Sequence, residues 1–434
     1  MTIVLLSYFV TAIDGSIVIT GLTKISKDLS LNQSTLSWVQ NAYILAFGGF
    51  ILLGGRLSDV FGRKRIINIA LILFCVGSAL AGASTTAFVM IFSRFFQGVG
   101  AAILAPTSLA LLMDTFEGEE RVKVVAWYSS ISGLGSSVGL ILGGFFASFM
   151  SWRDGFYINV PLTLFMLLLS IKTLEYKEIE QSKFNIFGTL LSITGIFTFV
   201  YAINGAKNTA LCLLISIILL TGFIIAEMKI SIPIMPLELF KSRTRTVAYI
   251  ARTLYMCAMF GFWFFISECL QEVFKFSPIL TGFAFFPMTI SLFIAAIIVP
   301  RLVESFGNKN VLLIGAIFLI CGFIWMLYLD EQSSYVIGVG IPMILLGLGQ
   351  GLSMSPLTNL GIYNTKAENS GAASGLVNVA HQVGGSIGLS TMVVFSRNSV
   401  SMISIFHTSM IVGLSFIVIM TVVSLIIPNN HQKQ

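Results

Sequence analysis

Charge is what this chain has least of. Asp, Glu, Lys and Arg make up 10% of its 434 residues, and mean hydropathy is +0.93. Soluble globular domains carry roughly 25% charged residues. The shortage excludes a soluble globular protein and puts most of the chain in lipid. Long polar segments are also missing. The longest, Lys172–Lys183 and Lys229–Arg245, read as cytoplasmic loops, too short for a soluble domain. There is no phosphate-cradling Gly-Lys-Ser/Thr loop, and Gly98-Val99-Gly100 lies inside an apolar helical run, not after a strand. ATP is therefore not the expected energy source, and no enzyme chemistry and no cofactor are expected. Five cysteines (Cys75, Cys212, Cys257, Cys269 and Cys321) fall in or beside apolar runs. They have neither metal-ligand spacing nor a disulfide framework, so they read as small core residues. The chain is apolar from Thr2 with no basic leader or cleavage site, which predicts a retained first span and not a signal peptide.

What is present is a series of apolar runs of about 20 residues, the length that crosses a bilayer. They lie near 2–23, 36–57, 66–84, 88–113, 122–150, 156–174, 185–205, 209–228, 246–271, 278–300, 310–329, 335–360, 371–396 and 403–427. These predict an all-α membrane protein of about fourteen helices. One set of alternate loops is rich in cations, among them Arg56, Arg63, Lys64, Arg65, Arg121, Lys123, Lys172, Lys177, Lys183, Lys229, Lys241, Arg301, Lys309 and Lys433. The other set holds only Lys24, Lys27, Arg153, Lys207, Lys275 and Arg397. The richer side is expected in the cytoplasm, with both chain ends. The formal net charge of +6 is explained by that placement, with no need for a nucleic-acid partner.

The densest polar stretch is Gly55-Arg56-Leu57-Ser58-Asp59-Val60-Phe61-Gly62-Arg63-Lys64-Arg65. So many charges cannot lie in hydrocarbon, which predicts a loop at a membrane face whose glycines allow a tight turn. It either fixes orientation only or does more. The stretch recurs as Arg301-Leu302-Val303-Glu304-Ser305-Phe306-Gly307-Asn308-Lys309, with Arg, Leu, an acid, Phe, Gly and Lys in register. A looser echo links Gly98-Val99-Gly100 and Pro106 to Gly349-Gln350-Gly351 and Pro356. The loop copies lie eight spans apart, where a bare six-helix duplication would put them six apart. The expected organisation is a six-helix bundle over 1–174, an inserted helix pair over 185–228 and a second six-helix bundle over 246–427. Repeated bundles around a central polar site are a transporter architecture.

The stretch Gly55–Arg65 resembles the loop signature of the major facilitator superfamily. Ala12-Ile13-Asp14 with Ile17-Val18-Ile19 resembles the first-helix acidic motif of its fourteen-span drug:proton antiporters. Trp38 and Tyr43 fit the second helix. Arg94-Phe95-Phe96-Gln97-Gly98-Val99-Gly100-Ala101-Ala102 fits the fourth, and Gly135, Gly139, Gly143 and Gly144 fit the fifth-helix antiporter motif. Trp152-Arg153 and Phe156-Tyr157-Ile158-Asn159-Val160-Pro161 fit the start of the sixth; Pro236-Leu237 and Leu239-Phe240 fit the loop before the ninth. Four positions depart from the family pattern: Leu140 for a Pro, Asn185 for an Asp, Asn308 and His381 for Arg. The resemblance implies alternating access between two bundles and proton-driven efflux of amphipathic, cationic drugs by a monomer in a bacterial plasma membrane. A major-facilitator exporter of one metabolite and a non-transporting membrane sensor are the other readings.

Candidate residues follow. An ionised Asp14 in mid-span costs about 2.5–3.5 kcal/mol on insertion scales, which favours reversible protonation. It suits a proton carrier or a cation site, or else a neutral Asp bonded between helices. Glu268 stands near Phe260, Trp263, Phe264 and Phe265, so it either binds a lipophilic cation with Trp263 and Phe264 or reaches water at the interface. Arg94 either steers proton transfer or bonds helix carbonyls. Gln97 and His381, with Gln40, Asn41, Gln350, Asn378 and Gln382, either tie helices together or line a polar cavity that takes substrate. Gly135, Gly139 and Gly143 step by four along one face and let another helix approach closely; with Gly144, a gating role is implied by the resemblance. Gly55, Asp59, Gly62, Arg63 and Arg65 are expected to gate the cytoplasmic face. No metal site is expected.

Overall fold

A computed structural model describes residues 1–116, 118–174, 186–204, 206–230, 233–366 and 369–428, without the side chains of 118–119, 121–123, 125–134 and 186. Lys177, Lys183, Asn185 and Lys433 lie outside the described residues, as do the side chains of Arg121 and Lys123. Every element is helical: α1 (Thr2–Asp28), α2 (Gln33–Phe61), α3 (Arg63–Gly82), α4 (Ala87–Thr115), α5 (Gly118–Phe149), α6 (Asp154–Tyr157), α7 (Asn159–Thr173), α8 (Ile186–Ile203), α9 (Thr209–Lys229), α10 (Arg243–Glu272), α11 (Pro278–Ala284), α12 (Phe286–Met326), α13 (Ile341–Gly361), α14 (Ser370–Ser396) and α15 (Met402–Leu425). Short polar connections set the starts. The Asn32 side chain accepts from the Thr35 N–H at 2.9 Å, and Thr86 and Ser242 cap α4 and α10 in the same way.

Among the described residues, ten helices are long and apolar enough to cross a membrane, against the fourteen expected. The runs 278–300 and 310–329 join into one helical stretch, Pro278–Met326, bent at Gly307. Gly135–Phe149 and Phe187–Ile203 are shorter apolar helices. The Gly- and Ser-rich α14 is helical without being among the ten.

Contacts group the chain into two units. The first is Met1–Ala202 with Ala206–Ile234 and Ser277–Gly282; the second is Ile203–Gly205 with Met235–Phe276 and Phe283–Gln434. In the first, α2 and α3 pack on α4, α1 on α5, and α3 on α7. In the second, α12 packs on α13 on both sides of its bend, α10 on α14, and α12 on α15. The residues from the apolar pair cluster largely with the first unit. Ile193 of α8 lies beside Gly49, Phe197 meets Phe95, and Ser216 of α9 donates to the Gly195 carbonyl at 2.8 Å.

The echo of the basic motif is also an echo in space, whereas the looser one shifts by two residues: Gly98 matches Gly347, and Gly100, against Ala70 and Phe74, matches Gly349, against Gly315 and Leu319. Gly77 backs onto Gln97 as Gly322 backs onto Leu346. Gly98 stands against Tyr43 and Ala46 as Gly347 stands against Met288 and Ser291. Gly139 meets the Ile13 carbonyl as Gly384 meets that of Thr253. Gly62 (φ 90°) and Gly307 (φ 78°) are the positive-φ glycines among the described residues, at matching places in the two copies of the basic motif. The lysine that follows each fastens the end of a later helix of its own unit, α7 in the first and α15 in the second. Lys64 Nζ donates to the carbonyls of Ile171 (3.0 Å) and Leu174 (2.5 Å), and Lys309 Nζ to that of Leu425 (2.9 Å).

The basic stretch is not the loop that its charge density predicts. α2 continues to Phe61 and α3 starts at Arg63, so Gly62 alone breaks the helix. Gly55 is mid-helix and makes no turn. Charge density fixes how deep a residue can sit, not its backbone state, and long cationic side chains reach water from a helix end.

Candidate functional site

Five helical elements of the first unit bring their polar residues to one point. Asp14 of α1 and Arg94 of α4 are both fully buried, and Arg94 Nη1 lies 2.6 Å from Asp14 Oδ2. The same nitrogen donates to Gln97 Oε1 at 2.7 Å. Gln97 Nε2 donates to Asp14 Oδ1 at 2.9 Å and to Ser78 Oγ of α3 at 2.7 Å. Asn159 of α7 donates to Asp14 Oδ1 at 2.8 Å. Arg94 Nε donates to the Val39 carbonyl of α2 at 3.1 Å, and the guanidinium carbon sits 4.2 Å from the centre of the Tyr43 ring. The carboxylate thus has a counter-charge and two amide donors, which is what makes an ionised acid tolerable in a dry core.

The backbone brings these side chains together through close helix packing. A Cβ on Gly139 would stand 2.7 Å from the Ile13 carbonyl oxygen, so only glycine lets α5 approach α1 beside Asp14. Gly135 and Gly143 face the same helix, at Ala12 and Ile17, whereas Gly144 faces Pro278 and Ile279. Of the expected site residues, Asp14, Arg94 and Gln97 converge here. Asn159, Ser78 and Tyr43 complete the site and were not singled out as site residues from sequence. Tyr43 and Asn159 stood in stretches that resemble the family's helices but carried no site role there, and Ser78 was only a polar residue inside an apolar run.

The other expected substrate residues belong to the second unit. His381 is half-buried; Arg252 Nη2 lies 3.0 Å from its Nδ1, and Arg252 Nη1 donates to the Met354 carbonyl at 3.1 Å. Arg252 is buried. The Phe260 ring joins His381 (5.7 Å) to Trp263 (5.2 Å). Phe264 is buried against Phe265 (5.1 Å), and Glu268 is buried too, which removes its interfacial reading.

At the basic motif Arg63 bonds Asp59 and Ser58 and pairs with Asp114 at 3.0 Å. Arg65 is exposed and joins none of these contacts. The corresponding place in the second unit holds a neutral pair, with Asn359 donating to Asn308 at 3.1 Å.

A repeated all-helical frame, with helices fit to cross a bilayer and an ion pair buried inside one repeat, defines a polytopic membrane transporter. The family model described as Major Facilitator Superfamily matches residues 4–389, and the chain belongs to that superfamily. It is 30% identical to the puromycin resistance protein pur8 of Streptomyces alboniger, over 90% of this chain and 80% of that one. It is 28% identical to the cephamycin export protein CmcT of Amycolatopsis lactamdurans, over 91% and 84%. It is 29% identical to the multidrug transporter protein MdtP of Bacillus subtilis, over 90% and 74%. The fold is similar to the crystal structure of the nucleoside transporter NupG, with TM-score 0.66, 14% identity and 98% of both chains covered.

Proposed function

We propose that this chain is a proton-coupled exporter of amphipathic, cationic drugs. It works by alternating access as a monomer in a bacterial plasma membrane, with both termini in the cytoplasm. The names of its relatives support drug export, and the uneven spread of lysine and arginine supports the orientation. The observation that carries proton coupling is the fully buried Asp14–Arg94 pair.

Ionised Asp14 is matched by Arg94. When Asp14 takes a proton, Arg94 becomes a buried cation without its counter-charge, and removing one partner of a buried pair costs about 3–5 kcal/mol. The unit relieves that cost by rearranging around Arg94, so protonation and conformational change are linked. Each proton moved down 100 mV brings about 2.3 kcal/mol. A cationic drug and a proton compete for the same carboxylate, which makes the exchange obligatory. Gln97 and Asn159 hold the carboxylate in place. In the second unit Glu268, Trp263, Phe264 and His381 contact drug, with Glu268 a second proton carrier. Gly135, Gly139, Gly143 and Gly144 hold α5 tightly packed, and Gly55, Asp59, Gly62, Arg63 and Arg65 gate the cytoplasmic face. The organisation is two six-helix bundles, 1–174 and 246–427, with an inserted pair at 185–228.

The test is dye transport in proteoliposomes under an imposed pH gradient. Wild-type protein drives dye against its gradient and Asp14→Asn does not, although it still folds in detergent with a lowered melting temperature, because Arg94 loses its counter-charge. Unchanged dye export by Asp14→Asn would overturn the assignment.

A further inference from the structure

Asp14 has a partner along its own helix. Asp14, Ile17, Gly21, Ile25 and Asp28 follow one another at three- and four-residue steps, so they share one face of α1. The two carboxylates are about 21 Å apart at the helical rise of 1.5 Å per residue. Each pairs with an arginine: Asp14 with Arg94 at 2.6 Å, Asp28 with Arg153 at 2.9 Å. Between them lies a cavity lined by Ile17, Gly21 and Ile25, by Gly143 of α5, and by Trp152 and Phe156. At one end Trp152 Nε1 donates to Asp28 Oδ2 at 3.1 Å, and the Arg153 guanidinium sits 4.3 Å over the Trp152 ring. At the other end the Phe156 ring lies 5.7 Å from the Arg94 guanidinium. The two rings meet edge to face, 6.0 Å apart. One wall of the cavity therefore touches each ion pair.

From this geometry we propose that external protons reach Asp14 through this cavity, with Asp28–Trp152–Arg153 as its outer cover and Phe156 as its inner wall. The route rests on the proton coupling and the orientation proposed above. Apart from the Trp152 indole N–H its side chains are apolar, and constrictions closed by apolar side chains conduct only when water enters them. Behind Phe156 two fully buried polar atoms, Arg94 Nη2 and Asn159 Oδ1, have no hydrogen-bond partner among the described residues. A free donor and a free acceptor next to Asp14 are sites for water. When Trp152 and Phe156 swing apart, water fills the cavity and delivers a proton to an Asp14 oxygen. The carboxyl turns neutral and Arg94 keeps its charge. The same proton leaves on the inner side after the unit rearranges, so none is consumed. Asp28 acts as a positioning residue that holds Trp152.

The test uses full-length protein in proteoliposomes, with proton leak read by an internal pH dye without drug and pH-driven transport read by export of a dye substrate. Phe156→Ala removes the inner wall and raises proton leak several-fold; the leak disappears in Phe156→Ala/Asp14→Asn. Gly21→Ala acts in the opposite sense. Its methyl meets Ile25 and Trp152 at 3.8 Å, an ordinary contact, so it fits, narrows the cavity and slows pH-driven transport several-fold without loss of melting temperature. A folded Phe156→Ala with no added leak, or a leak that survives Asp14→Asn, overturns the route. Should Phe156→Ala not fold, Gly21→Ala at the wild-type rate overturns it. Wild-type protein without pH-driven dye transport would overturn the coupling itself. Wild-type coupling with two unaffected cavity variants overturns the route alone.

Discussion

Arg94 has five N–H donors and one charge, and the first unit engages it from three sides through Asp14, Gln97 and the Val39 carbonyl. Deleting only its partner strands that charge. Asp14→Ala should lower stability by about 3–5 kcal/mol, read as a fall in the denaturation midpoint in detergent. The double variant Asp14→Leu/Arg94→Met should recover most of the loss, because apolar replacements of a buried pair are often neutral or stabilising. Neither should transport. A double variant as unstable as the single one would show that the pair is not the source of the loss. Asp14 and Arg94 were legible in the sequence because a charge in a mid-membrane run is costly and stands out. Asn159, Ser78 and Tyr43 were not. Uncharged polar residues recur in these spans at Gln40, Asn41, Gln350 and Asn378, and spacing alone does not tell which of them reach a carboxylate on another helix.

Between α2 and α3 the break is one residue long, and its conformation is the reason for the glycine. Gly62 and Gly307 occupy positive-φ backbone that side-chain-bearing residues rarely adopt. The two corners differ in charge. Asp59, Arg63 and Asp114 form an ionic cluster, whereas Glu304 is exposed with no ion pair among the described residues, and Asn308 meets Asn359. Asp59→Asn should therefore slow turnover more than Glu304→Gln, measured as initial dye-export rates at equal protein density. Equal or reversed effects would count against a gating role for the first corner. The duplication of this motif was legible because six residue types recur in register. The helical state of Arg56–Phe61 was hidden, since the demand of charges for water says nothing about φ and ψ.

Across the chain, the buried network around Asp14 occupies one repeat only. The contacts that match Gly77 to Gly322, Gly98 to Gly347 and Gly139 to Gly384 also match Ser78 to Phe323, Tyr43 to Met288 and Asp14 to Leu254. Gln97 then corresponds to Leu346 and Arg94 to Met343. Polar members of the site in the first unit have apolar counterparts in the second, on the same frame. Substitutions at matched positions should separate. Gln97→Leu should abolish pH-driven transport and cost about 1–3 kcal/mol for the buried partners it strands, while Leu346→Ala should cost about 2–5 kcal/mol and leave the pH dependence of transport in place. Melting curves and transport at several pH values distinguish the two; a shifted pH profile in Leu346→Ala would contradict the one-sided assignment. The recurrence of the basic motif could be read from the sequence, but the chemical imbalance could not, because pairing Asp14 with Leu254 requires knowing which helices touch. The two lysines bear on synthesis as well. Lys64 and Lys309 each lie just after a glycine corner, yet their acceptors at the ends of α7 and α15 are 110 and 116 residues further along the chain. As the ribosome works at about 5–20 residues per second, each ammonium waits in water for seconds until its acceptors emerge. The first half of the newborn chain can therefore be fastened shut while the second is still being made.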